Sequence, residues 1–124
     1  MRVVIQRVSE ANVKINSKLI CSIREGLLVL LGIEKEDSVS DVNWLTNKIS
    51  NLRIFSDNDG KMNSSIKEID GEIIVEDFSK LFDLSCKDPQ ALNYKTILLF
   101  SYLNSDIKVK SFLRNHKFYL HLDY

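Results

Sequence analysis

The apolar positions of this chain switch period several times, and each switch marks an element. From Arg2 to Val8 they alternate, with Val3, Ile5 and Arg7 on one face and Val4, Gln6 and Val8 on the other, which is strand periodicity. Ala11 to Ile15 alternates again, Asn16-Ser17 reads as a hairpin turn, and Leu19 to Ile23 returns. Leu27-Leu28-Val29-Leu30-Leu31 is apolar at five consecutive positions, bracketed by Gly26 and Gly32. Such a run leaves no wet face, so it predicts a central strand.

The period then becomes helical. Val42, Leu45, Ile49 and Leu52 recur at helix spacing, with Trp44 beside them as a core residue. Ser38 or Asp37 suits the cap and Asp41 stands three residues after Ser38, so a helix is predicted from about Val39 to Leu52. Next come a short strand through Ile54-Phe55 and the polar turn Ser56-Asp57-Asn58-Asp59-Gly60. Asp and Asn bond their own backbone there, and Gly60 supplies a positive φ. Ile73-Ile74-Val75 is a β-branched run of the kind found at a sheet centre, and it is expected to stop where Glu76-Asp77 begins. Asp88-Pro89 announces a second helix over 90–103. Ile107, Val109 and Ser111 share one strand face, Phe118 to Tyr124 alternates as another strand, and Arg114 to Lys117 makes the turn between them. Strands in hairpin order interrupted by two helices predict one α+β domain over residues 1–124, mostly antiparallel.

Composition narrows the function classes. The 124 residues carry seventeen basic and seventeen acidic side chains, so no global field attracts nucleic acid and any such partner needs a local patch. Cys21 and Cys86 lack metal-type spacing and read as idle thiols of a reducing compartment. The Met1-to-Ile5 start is too quickly followed by charge for a signal peptide, and no apolar run nears the ~20 residues of a membrane span. A cytoplasmic protein is expected. Only His116 and His121 are available for base chemistry, and neither has a sequence partner that suggests a triad. No ligand cluster or glycine-rich phosphate loop is present, so neither metal nor cofactor is expected.

The chain resembles the D-aminoacyl-tRNA deacylases, also called D-tyrosyl-tRNA deacylases. The blocks that carry the likeness are Met1 to Val8, Gly26 to Ile33, Asp41 to Leu45, Lys48-Ile49, Asn51 to Phe55, Gly60-Lys61-Met62-Asn63 and Gly71 to Val75. The resemblance implies a β-pseudobarrel flanked by helices and assembled as a homodimer. It implies hydrolysis of the ester between a D-amino acid, or glycine, and the 3′ end of tRNA, with the RNA's own hydroxyl assisting. Arg7, Met62, Asn63 and Tyr119 are the implied substrate-binding positions. Glu76, Asp77, Phe78, His116 and Lys117 are the implied catalytic ones. Two family signatures are altered. Glu76 and Asp77 stand where the family has Ser-Gln, and His116 and Lys117 stand where it has a cis Gly-Pro unit that bars L-amino acids. The chain is also shorter than typical members after Val75. Three readings therefore stay open: a working deacylase with a rebuilt site, a silent relative that binds the aminoacyl end, or a dimeric structural domain.

Overall fold

A computed structural model describes residues 1–77, 99, 102–103, 107–112 and 119–123. The four-stranded main sheet has the order β1 (Arg2–Val8), β4 (Gly26–Gly32), β7 (Glu72–Asp77), β8 (Lys108–Phe112). The all-apolar β4 and the β-branched β7 are its two inner strands, as their composition requires, because both of their faces are covered. β2 (Glu10–Ile15), β3 (Lys18–Ile23) and β9 (Tyr119–Asp123) form a second sheet in the order β3-β2-β9. The β2–β3 turn places Asn16 and Ser17 at φ 49° and 64°, the positive pair that a tight hairpin needs.

Among the described residues, four of the six strand ladders are antiparallel, but β4–β7 and β7–β8 are parallel. β8 and β9 do not form the tail hairpin that the alternation suggests. β8 extends the main sheet and β9 adds to β2 in the other. β7 also runs through Glu76 and Asp77 rather than ending before them, since both remain in register with Leu30 and Leu31 of β4. A charged pair does not end a strand whose backbone partner continues beside it.

The main sheet has one core on each face. On one face Leu27, Val29, Leu31, Ile73, Val75 and Val109 pack against the helix α1 (Val39–Asn51) through Val42, Leu45 and Ile49. On the other, Val8, Leu28 and Ile74 meet Ala11, Val13 and Ile23 of the second sheet. The layers are thus helix, sheet, sheet.

α1 begins at Ser38, whose backbone N–H and hydroxyl both donate to Asp41 Oδ2, at 2.7 and 3.0 Å. Trp44 departs from its expected core role. It is 65% exposed, because residues 42, 45, 46, 49 and 50 take up the buried stripe and position 44 falls outside it. Of the second predicted helix only Leu99, Tyr102 and Leu103 are described. They are helical, and Leu99 and Leu103 are buried in the α1-side core.

Candidate functional site

The short strands β5 (Phe55–Ser56) and β6 (Met62–Ser64) form a hairpin beside the α1-side face of the main sheet. Phe55 is buried and roots it in the core. The register pairs Phe55 with Ser64 and Ser56 with Met62, so Asn63 is the extra residue of a β-bulge. A bulge re-aims the groups around it and is common beside functional sites.

The turn at the hairpin tip is built around one carboxylate. Asp57 Oδ1 accepts the backbone N–H of Asp59 and of Lys61, each at 2.9 Å. Gly60 closes the turn at φ 75° and donates to the Asp57 carbonyl at 3.0 Å. The Asp57 carboxyl titrates below its ordinary range. The Lys61 amide is the main cause; the Asp59 amide and the Asn63 side chain assist, and desolvation opposes.

At the hairpin base two arginines are held by main-chain carbonyls. Arg7 donates through Nη1 to Ile54 O at 2.8 Å. Arg53 donates through Nε to Asn63 O at 2.9 Å. Both side chains are exposed, and neither forms an ion pair with a described residue. Asn63 therefore serves both ends of the hairpin, its side chain reaching Asp57 and its carbonyl holding Arg53. Met62, beside it, is 63% exposed.

Arg7, through Ile54 O, thus lies against the hairpin that carries Met62 and Asn63. Glu76 is not with them. It shares a face with Ile74 and Leu30, toward the second sheet, and is only 3% exposed, while Arg7 alternates with Val3 and Ile5 on the helix side. The main sheet stands between the two. Asp77 is placed by its backbone pairing with Leu31 in the main sheet, and Tyr119 by its pairing with Lys14 in the other. Phe78, His116 and Lys117 lie outside the described residues.

Arg53 and Asp57 escape a reading aimed at side-chain chemistry. The visible signal for Arg53 is a lone charge between Leu52 and Ile54, and for Asp57 its place three residues before a glycine.

A separate cleft of about 390 Å³ opens where β1 passes into β2, lined by Ser9, Glu10, Ser22, Ile23, Arg24 and Glu72. There the Arg24 backbone N–H donates to Glu72 Oε2 at 2.9 Å, and none of the sequence-implied residues takes part. Among the described residues, no three His, Cys, Asp or Glu side chains converge as metal ligands, and no helix is long and apolar enough to cross a membrane.

The layered sheets with a hairpin at one end define a known fold class. The structure of a probable eukaryotic D-amino acid tRNA deacylase matches 98% of this chain and 92% of its own, with a TM-score of 0.73 at 10% identity. That of a c-Myc DNA unwinding element binding protein matches 99% and 91%, with a TM-score of 0.87 at 24% identity. The family model described as D-Tyr-tRNA(Tyr) deacylase matches residues 4–90, and the chain belongs to that family. D-aminoacyl-tRNA deacylase of Flavobacterium psychrophilum is 59% identical over 75 residues, which cover 60% of this chain and 50% of that protein. The same-named protein of Syntrophus aciditrophicus is 45% identical over 103 residues, covering 75% of this chain and 69% of its own. The chain spans about half the length of most of the curated relatives it matches.

Proposed function

We propose that the chain is a D-aminoacyl-tRNA deacylase-type hydrolase, cleaving the ester between a D-amino acid, or glycine, and the 3′ end of tRNA. The observation that carries this reading is the family match over residues 4–90, which takes in Arg7, the whole 53–64 hairpin and β7. Hydrolysis of an activated ester needs a delivered water and a stabilised oxyanion. Main-chain N–H groups serve the second need without a nucleophilic side chain. Arg7, Met62, Asn63 and Tyr119 hold the acceptor end in this reading, while Glu76, Asp77, Phe78, His116 and Lys117 stand at the family's catalytic positions. The working unit is a cytoplasmic homodimer, in which each pocket is completed by the other subunit.

A second reading, a silent binder of the aminoacyl end, is favoured by one observation. Where the resemblance expects a serine of the pocket, the chain holds the carboxylate of Glu76, turned toward the inter-sheet core.

Deacylation of D-tyrosyl-tRNA and glycyl-tRNA, with L-tyrosyl-tRNA as the control, tests the pair. Turnover supports the hydrolase. Because His116-Lys117 replaces Gly-Pro, and a non-proline cis bond costs ~2.5–4 kcal/mol, L-tyrosyl-tRNA should be cleaved comparably to D. Salt-dependent tRNA binding without turnover supports the silent binder, and neither turnover nor binding overturns both.

A further inference from the structure

We propose that Arg7 and Arg53 form a two-pronged clamp on successive phosphates of a single-stranded nucleic-acid backbone. The inference deepens the deacylase reading and rests on it, since the strand it would grip is the acceptor end of tRNA.

The argument begins with what each guanidinium has left to give. Arginine carries five N–H donors in a rigid fork. Arg7 spends one on Ile54 O and Arg53 spends one on Asn63 O, at 2.8 and 2.9 Å. Both remain exposed, and no described carboxylate neutralises either. An arginine pinned at one nitrogen has already lost much of its rotamer freedom, so less is lost when its other donors meet an anion. Phosphate is the anion whose geometry the fork matches.

The two anchors also lie close together. Ile54 immediately precedes β5, and Asn63 is the bulge on its neighbour β6, so the two anchoring residues are diagonal neighbours across the hairpin, about 7–8 Å apart. The hairpin's own acids do not compete at this end. Asp57 is folded into the turn at the tip by the Asp59 and Lys61 amides, and Asp59 stands at that tip as well. A chain with no net charge binds a polyanion only through such a local concentration of positive charge.

The test is the salt dependence of uncharged tRNA binding by the full chain, between about 50 and 200 mM salt. Each single-strand phosphate contact contributes about 0.7 to the slope of log K against log salt. R53Q and R7Q are each expected to lower the slope by about that amount, and the double variant by about twice as much. Each single variant should bind about tenfold more weakly at low salt, the scale of one charge-assisted hydrogen bond. R53K should keep the slope but recover only part of the affinity, because an ammonium cannot hold Asn63 O and a phosphate in one plane. K18Q, on β3 of the other sheet, should leave the slope unchanged. A wild-type chain that binds tRNA, with R7Q and R53Q matching its slope, overturns the clamp and leaves the deacylase reading standing. A wild-type chain that binds no tRNA overturns both. If a glutamine variant fails to fold, arginine-specific modification of the wild-type chain decides. tRNA should protect Arg7 and Arg53, and absence of protection overturns the clamp.

Discussion

A Cβ atom placed on Gly26 would stand 1.8 Å from the carbonyl oxygen of Glu72 and 2.8 Å from its carbonyl carbon. The two residues are register partners at the start of the parallel β4–β7 ladder. The obstacle is backbone and cannot swing away. Gly26→Ala is therefore expected to destabilise the fold by about 3 kcal/mol or more, at or beyond the upper end of ordinary overpacking. Gly32→Ala, whose nearest neighbour would be Arg2 O at 3.8 Å, should cost about 1 kcal/mol or less. Urea unfolding of the two variants checks the contrast.

The helix offers a second contrast. Ile49→Ala empties a fully buried site between α1 and the main sheet and should cost about 2–5 kcal/mol. Trp44→Ala removes a larger side chain, yet an exposed one, and should move stability by no more than about 0.5 kcal/mol. Equal losses in the two melts would mean that Trp44 is covered in solution, for instance by a second copy of the chain.

The hairpin turn has a pH dependence of defined sign. The Asp57 carboxyl is depressed in the folded chain, chiefly by the Lys61 amide, so its charged form favours the turn. That contribution is fully present above the ordinary carboxylate range, at the unfolded pKa, and is lost as pH falls through the lower folded pKa. Protection of the Asp59 and Lys61 amides, measured against the intrinsic exchange rate at each pH, should fall over that acidic window. Asp57→Asn should leave both amides weakly protected at both ends of it, and a wild-type protection that does not change with pH would contradict the turn described.

Glu76 separates a structural carboxylate from a chemical one. Its side chain faces the layer between the sheets, so Glu76→Gln should lower kcat by much less than the 10²–10⁴-fold typical of a general acid or base. A loss of that size at unchanged melting temperature would place the carboxylate in the reaction.

Much of the framework can be read from the chain alone, wherever a pattern is local. Asn16-Ser17 announces its turn because two polar residues interrupt two alternating apolar runs and Asn16 tolerates a positive φ. Five consecutive apolar residues place β4 inside a sheet, and the spacing of Val42, Leu45 and Ile49 sets the face of α1. What escapes is non-local. Alternation shows that β8 and β9 are strands but not which neighbours they choose, so their separation into two sheets has no signature. Glu76-Asp77 reads as a stop because the support of β4 alongside it is invisible in one dimension. At the site, Arg7, Met62 and Asn63 are named in the sequence by the resemblance alone. The holding of Arg7 and Arg53 by Ile54 and Asn63 is not legible there, because main-chain carbonyls leave no trace in residue identity.

The parallel ladder between β4 and β7 has a consequence for how the protein is made. On the ribosome, Leu27 to Leu31 emerges with β1 to pair on one side only, and its other edge stays open until the chain has passed Asp77. Through that interval the nascent protein presents its most apolar strand as an unprotected template for a neighbouring chain. Translation pauses or truncations inside residues 33–71 should therefore yield aggregates, whereas chains released after β7 have that edge sealed.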